Sequence, residues 1–173
     1  MKSKSIRLTA TSYALLALLK QLGEATSYDI KQTMDKSIEN FWPVPHTTAY
    51  EEPARLAKGG YLSVRQEVGG RRRKVYALTD EGRAALRSWA AEPSAAPPQL
   101  RDEATLKVFA GADPRPLMES RAEWHREKLA ELQGYLDEVR KAEGWDASER
   151  TLIAGITYHR KMLELLDAVG EGQ

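Results

Sequence analysis

The chain has 173 residues, 42% of them hydrophobic, so it is long enough to bury a core as one domain or as two small ones. It contains no cysteine, which excludes disulfide bonds and thiolate chemistry and suits a reducing cytoplasm. Lys20 ends the apolar run Tyr13–Leu19 early, well short of the roughly 20 residues of a membrane-spanning helix. These features predict a cytoplasmic protein with neither a signal peptide nor a membrane partner.

The formal net charge of +1 conceals an asymmetry between the two halves of the chain. Residues 1–91 hold 15 Lys and Arg against 9 Asp and Glu, a net +6, whereas residues 92–173 hold 11 against 16, a net −5. A basic half is attracted to phosphate, and an acidic half more naturally faces solvent or another protein chain. The sign changes at the proline-rich stretch 92–99, which we interpret as a linker between a domain at 1–91 and a domain at 100–173.

Three helices are predicted at the start of the basic half. Thr9 is a candidate N-cap for the first, and Thr26–Asp29 fits a capping box that opens the second. Pro45–Thr48 offers an N-terminal proline and hydroxyl caps for a third helix that runs to Gly59–Gly60. Because a proline deep in a helix costs about 3 kcal/mol and a hydrogen bond, we expect the third helix to start late or to bend at Pro53.

A hairpin and a fourth helix follow. Polar and apolar residues alternate over 62–68 and again over 75–79, on either side of a turn at Gly69–Lys74. Thr79 is positioned to cap a helix over Asp80–Ala91. The order helix, helix, helix, strand, strand, helix is that of a winged helix-turn-helix, whose typical partner is double-stranded DNA. Phe41 and Trp42, next to a proline, are expected to be core residues that fix the turn before the third helix.

Several segments resemble the PadR family of transcriptional regulators, and the resemblance extends over most of the chain. They are Leu8-Thr9, Ser27–Ile30, Phe41–Tyr50, Gly69–Gly82 and Leu100–Glu103. The resemblance implies a mainly α fold with a small β-hairpin: a winged helix-turn-helix domain followed by a helical, coiled-coil-like dimerisation domain. It also implies regulation of transcription through DNA binding.

The candidate DNA contacts lie on the second and third helices and at the hairpin tip. A recognition helix reads bases chiefly with its N-terminal residues, and guanidinium groups bind phosphate oxygens well. The predicted contacts are Tyr28, His46, Thr47, Thr48, Tyr50, Arg55, Arg71, Arg72, Arg73 and Lys74. The alternatives are that the two threonines only cap their helix, that His46, Tyr50 or Tyr28 packs inward, and that the cationic tip is a solvated turn.

The acidic half reads as a short helix over 100–110 and two long ones, about 113–142 and from Asp146 on, the last opened by an Asp146–Glu149 capping box. The break between them falls at Glu143–Trp145. Apolar residues repeat along both long helices at heptad spacing, so we predict an antiparallel hairpin that needs a partner chain. The predicted dimer interface comprises Met118, His125, Leu129, Leu132, Leu136, Leu152, Ile156, His159, Leu163 and Leu166.

Two further sets of residues carry open alternatives. The two faces of apolar residues at heptad spacing are called the seams of the long helices. On these seams, His125 and His159 are either pH-responsive or hydrogen-bonded packing residues. Trp89 and Trp124, with Trp145, either line a ligand pocket or pack as ordinary core and interface residues. The three histidines are far apart in sequence and no catalytic motif is present, so we expect no metal, no cofactor and no enzymatic activity.

The sequence thus predicts a homodimeric, DNA-binding transcriptional regulator that acts as a repressor. The dimer would bind a partly palindromic operator with half-sites about 34 Å apart, and an unknown small-molecule effector is a candidate for its control. One alternative is a winged helix that binds an acidic protein and has no specific DNA target. A second alternative is a helical protein whose basic hairpin holds an anionic small molecule.

Overall fold

Two units divide the chain in a computed structural model, which describes residues 6–67, 72–94, 97, 101–141 and 146–171. The first unit covers Met1–Ala95 and the second Ala96–Gln173, so the division falls inside the stretch 92–99 that the sequence marks as a linker. None of the helices in these described ranges combines the length and apolarity needed to cross a bilayer.

The first two helices begin where their capping residues predict. Helix α1 spans Ala10–Leu22, and the side chain of Thr9 accepts a hydrogen bond from the backbone N–H of Ser12. Helix α2 spans Ser27–Lys36, and Thr26 forms a reciprocal capping box with Asp29. Hydrogen bonds from the backbone and side chain of Thr26 lower the pKa of Asp29. Local hydrogen bonds therefore fix both helix starts.

Helix α3 spans Thr48–Lys58 and begins later than Pro45. Pro53 is its sixth residue and is buried. Because α3 begins at Thr48, where the candidate caps lie, Pro53 stands inside the helix, and the late start expected from this proline is wrong. The predicted hydroxyl cap is wrong at Thr47, which is the N-cap residue by position but whose side chain makes no capping hydrogen bond. Its backbone lies in the α region instead, whereas hydroxyl caps adopt extended backbone.

The wing is a three-stranded antiparallel sheet rather than a simple hairpin. Strand β1 spans Glu24–Thr26, β2 spans Leu62–Gln66 and β3 spans Lys74–Leu78, in the order β1-β3-β2. The predicted hairpin is confirmed as the β2–β3 pair, with Val64 opposite Tyr76. The short strand β1 was not predicted.

Helix α4 spans Asp80–Ala91 and is capped by Thr79, as predicted. It closes the core of the first unit together with the three preceding helices and the sheet. That core is built from Leu15, Leu16, Leu18, Leu19, Ala25, Ile30, Met34, Ala49, Leu56, Leu62, Tyr76, Leu78 and Leu86. The packing holds α3 and the wing at fixed positions on one scaffold.

The described residues of the second unit form three helices. Helix α5 spans Glu103–Phe109 and is capped by Asp102, α6 spans Pro114–Lys141, and α7 spans Asp146–Glu171. Helices α6 and α7 pack along their length in antiparallel order, as the ion pair of Arg140 with Glu149 illustrates. The predicted break at 143–145 lies outside the described residues. Helix α7 begins at Asp146, as predicted, but the side chain of Asp146, on which the predicted capping box depends, is not described.

The apolar residues of both heptad seams lie on packed faces of α6 and α7, but their assignment to the dimer interface needs correction. Seven of these residues are already buried within a single chain: Met118, His125, Leu132, Leu136, Ile156, His159 and Leu166. Leu129, Leu152 and Leu163 are partly buried and pack against the same two clusters. The seams therefore join α6 to α7, because a heptad repeat looks the same whether its partner belongs to the same chain or to another one. The side chains buried between α6 and α7 are therefore not available to a partner chain.

Candidate nucleic-acid interface

The start of α3 presents side chains rather than free backbone donors. Thr48 N–H donates to the carbonyl of Pro45 at 2.9 Å, and Tyr50 N–H donates to the carbonyl of Thr47 at 3.0 Å. The backbone groups of this turn are thus satisfied locally. The exposed Thr47 hydroxyl, free of any cap bond, is available to an external partner.

Exposed polar aromatic residues lie on the same part of the fold. Tyr50 and Tyr28 are each about half exposed, and His46 is exposed as well. His46 Nδ1 lies 3.9 Å from Asp35 Oδ1, which brings the turn before α3 close to α2. Tyr28 OH accepts a hydrogen bond from Gln32 Nε2 at 2.8 Å, which fixes its ring at the start of α2. The inward-packing alternative does not apply to these three residues.

Phe41 and Trp42 were expected in the core, and this expectation is wrong. Phe41 is 58% exposed and Trp42 is 43% exposed. Both follow a short 3-10 turn over Ile38–Asn40, whose hydrogen bonds hold the backbone of this segment: the N–H groups of Phe41 and Trp42 both donate to the carbonyl of Ile38. The two rings therefore add apolar surface next to the segment that leads into α3.

Arg55 is held inside the fold by several hydrogen bonds. Its guanidinium donates to both carboxylate oxygens of Glu52, to Ser12 Oγ and to the carbonyl of Arg7. Burial alone would raise the pKa of Glu52, but hydrogen bonds from Arg55 and Ser12 outweigh it and lower that pKa. The network ties α3 to α1 and to the segment before it, so Arg55 is committed to orienting the helix.

Three of the four predicted wing cations, Arg72, Arg73 and Lys74, lie within the described residues. Arg72 has φ of 49°, the left-handed conformation that non-glycine residues rarely adopt, and its carbonyl accepts a hydrogen bond from Gln66 Nε2. Arg73 Nε lies 3.2 Å from Glu67 Oε2, while Lys74 is exposed at the start of β3. Arg71, also a predicted contact, lies outside the described residues.

A groove of about 270 Å³ lies between α3 and the wing. Its lining consists of Ala54, Ala57, Lys58, Val64, Lys74 and Tyr76. Sequence reasoning did not select Lys58, because a lysine in the last turn of a helix is explained by the helix dipole alone. Only the pairing of α3 with the wing strands reveals that Lys58 and Lys74 border one groove.

The two tryptophans predicted to line a pocket belong to different units. Trp89 stacks on Tyr13 with ring centroids 4.7 Å apart and planes 4° from parallel, within the first unit. Trp124 packs edge-on against His125 at 4.8 Å, within the second unit. Each ring thus has an ordinary packing partner. Trp145 falls outside the described ranges.

His125 and His159 form a buried pair between α6 and α7. Their Nδ1 atoms are 2.7 Å apart, so the expectation of hydrogen-bonded packing histidines is confirmed. Burial lowers the pKa of both rings, and that of His125 falls to about 4. Across the described residues, no group of three or more histidine, aspartate or glutamate side chains is arranged to hold a metal ion.

Comparison with known proteins places this geometry in context. Residues 15–88 match the Transcriptional regulator PadR-like family. The chain is 28% identical over 134 residues to the negative transcriptional regulator PadR of Bacillus subtilis, an alignment that covers 73% of each protein. The aligned length exceeds that of the family domain, so the similarity extends beyond residues 15–88.

Solved structures share the fold. The crystal structure of Bacillus subtilis PadR in complex with operator DNA matches with a TM-score of 0.81 and 22% identity, covering 96% of this chain and 99% of that one. The crystal structure of the same protein in complex with p-coumaric acid matches with a TM-score of 0.73 and 22% identity, covering 94% and 96%. These similarities establish a winged-helix fold with a helical second unit.

Proposed function

Residues 15–88 of this chain belong to the PadR-like family of transcriptional regulators, and from that premise we propose that the chain is a sequence-specific DNA-binding repressor that acts as a homodimer. The observation that carries the proposal is the exposed N-terminal end of α3 on a unit that also carries a cationic wing. Hydroxyl and aromatic side chains suit base edges and phosphates, while the wing cations suit the DNA backbone. This activity requires no catalytic group, and we expect it in the cytoplasm.

The proposed reading surface consists of Tyr28, His46, Thr47, Thr48 and Tyr50, and the proposed backbone contacts are Arg71, Arg72, Arg73 and Lys74. Arg55 has a different role in this proposal, because its hydrogen bonds to Glu52 and Ser12 hold α3 against α1 and so orient the helix. Most of the affinity comes from phosphate contacts, and discrimination comes from α3 and from DNA shape.

The second unit supplies the proposed dimer surface. Ala104 and Val108 of α5 pack towards the rest of the unit, which leaves Leu106 at 63% and Phe109 at 89% exposed. On α7, Tyr158, Leu165 and Val169 share one face and are between 38% and 52% exposed. Exposed apolar residues on two helices of one small unit are typical of an interaction surface. A second copy of the chain is the proposed occupant, because two heads are needed for a two-part operator.

Effector control is proposed on a narrower basis. Bacillus subtilis PadR, which shares this fold, has been crystallised with p-coumaric acid. We propose that a small molecule also modulates DNA binding by this chain. Thermal shift assays with a panel of aromatic acids would test this, and a ligand that raises the melting temperature and weakens DNA binding would support it.

The proposal is tested by titrating the full chain into labelled duplex DNA and by selecting bound sequences from a random duplex library. In the titration, we expect the fraction of duplex that is bound to fall steeply with salt concentration. In the selection, we expect one enriched motif with two related halves. An acidic-protein-binding winged helix would enrich no sequence. A bound fraction of duplex that does not depend on salt concentration would also contradict the proposal.

Replacing Arg71, Arg72 and Arg73 by alanine is expected to weaken binding to operator and random DNA alike, because phosphate contacts carry little sequence information. The slope of log affinity against log salt should flatten by about 0.9 for each phosphate that the variant no longer binds. The matched control replaces Lys20, Lys36 and Arg87, which removes the same charge elsewhere in the first unit. Equal slopes for the two variants would refute a DNA-binding wing.

Thr47→Val is expected to reduce the preference for operator over random duplex by about 1 kcal/mol, roughly fivefold, because it removes a hydroxyl from the position that reads base edges. Since Thr47 makes no capping hydrogen bond, the melting temperature should change little. Thr33→Val, which removes a hydroxyl from α2, is the control. If affinities for operator and random DNA fall equally, Thr47 does not read bases.

A further inference from the structure

The groove between α3 and the wing has an apolar floor and cations at its rim. Ala54 and Ala57 contribute methyl groups from α3, and Val64 contributes a branched side chain from β2. Val64 is 51% exposed although it is apolar. A surface of this kind suits a partner that brings both carbon and negative charge.

The charges at the rim are uncompensated. Four other cations of the first unit lie within ion-pair distance of a carboxylate: Lys31, Arg55, Arg65 and Arg73. Lys58 and Lys74 are both exposed, and neither forms an ion pair with any residue that the structure describes. Two unpaired ammonium groups bordering one groove attract an anion there.

The groove also lies between the two elements that touch DNA in the proposed function. A winged helix places its recognition helix in the major groove, and the wing reaches the adjacent backbone. A duplex held by both elements would run past the space that separates α3 from β2 and β3. Deoxyribose carbons fit the apolar floor, and phosphate oxygens fit the two ammonium groups.

We propose that this groove binds a stretch of the sugar-phosphate backbone of duplex DNA, with Lys58 and Lys74 each contacting a phosphate. The inference rests on the proposed function and adds Lys58, together with the alanine and valine floor, to its contact surface. Such contacts strengthen binding and fix the register of the head on the duplex, and they carry no direct base preference.

The first test uses a double variant that carries both Lys58→Ala and Lys74→Ala, called the groove variant. Its control replaces Lys20 and Lys36 by alanine. The salt slope of the groove variant should flatten by about 0.9 for each phosphate that is no longer neutralised, or about 1.8 for each bound head. Between 50 and 200 mM salt, the affinity of a single head for DNA falls by some factor, and this factor should be roughly tenfold smaller for the groove variant than for the wild type. The change should be the same for operator and random duplex.

The second test replaces single phosphates of the duplex by neutral methylphosphonates. In the wild type, neutralising the phosphates that occupy the groove should weaken binding. The groove variant should be insensitive at those positions, while the Lys20 and Lys36 control should remain sensitive. This comparison identifies the particular phosphates that the two lysines bind.

The outcomes separate the inference from the function on which it rests. If the wild-type chain fails to bind duplex DNA, both are overturned. If the wild type binds and the groove variant matches the control in salt slope, only the groove proposal is overturned. A groove variant that stays sensitive at every position where the wild type is sensitive overturns it as well.

Discussion

Replacing both Phe109 and Leu165 by glutamate is expected to convert the protein into a monomer and to weaken operator binding by about 10²- to 10⁴-fold. The reason is that the second head of a dimer binds at a high effective concentration once the first is in place, and a monomer loses this advantage. The two side chains are 89% and 52% exposed within a single chain, so the substitutions leave the α6–α7 core intact. Weak binding to random DNA by a single head should survive.

The control for this variant introduces glutamate at Ala130 and Thr157, which are exposed positions on α6 and α7. Light scattering and a binding titration on the selected operator are measured for both variants. The control should remain dimeric and bind as the wild type does. A Phe109 and Leu165 variant that stays dimeric would refute the proposed surface, and a monomer with undiminished operator affinity would refute the role of dimerisation.

The free energy of unfolding is expected to fall by about 2–3 kcal/mol as the pH drops from 6.5 to 4, owing to His125 alone. Burial, the neighbouring His159 and the charge of Arg121 lower the pKa of His125 to about 4, while Asp102 opposes the shift weakly. In that pH window the unfolded chain binds a proton that the folded chain does not, so acid favours unfolding. Well above pH 6.5 both states are neutral at this site, and the free energy of unfolding no longer depends on pH through His125.

The geometry adds to the same trend. The 2.7 Å contact between the two Nδ1 atoms needs one donor and one acceptor. When both rings are protonated, two N–H groups face each other in a buried site, and Lys128 opposes a charge on His159 as well. Acid should therefore loosen α6 from α7 at this point of the seam.

Denaturant titrations between pH 4 and pH 8 measure the effect. The difference between the wild type and a variant with His125→Leu and His159→Leu isolates the pair from the carboxylates, which also titrate in acid. The exposed-histidine variant His46→Leu should keep the wild-type profile. If the leucine variant loses stability in acid as steeply as the wild type does, the histidine pair is not the cause.

Local chemistry was the part of the fold that the sequence predicted well. Thr9, Thr26 and Thr79 each cap a helix, because a hydroxyl two or three residues before a free N–H needs no distant partner. The β2–β3 hairpin follows from alternation over adjacent residues. Strand β1 is not predicted from the sequence because three residues are too few for an alternating pattern. Its pairing with β3 also joins segments about 50 residues apart in sequence.

Burial was harder to predict than secondary structure. Phe41 and Trp42 look like core residues by type, yet their exposure depends on where the neighbouring helices pack. The heptad residues such as Leu132 were assigned to a partner chain, but α7 of the same chain covers them, and the spacing alone does not distinguish the two cases. Arg55 shows the same limit, because Ser12 becomes its partner only when α1 meets α3.

The most direct test of the central claim is hydroxyl-radical footprinting of the full chain on the duplex selected from the random library. The account predicts two protected segments about 34 Å apart, one for each head. Within each segment, protection of the backbone beside α3 should depend on Lys58 and Lys74. An absence of protection at concentrations that retard the duplex, or one protected segment for an intact dimer, would contradict the account.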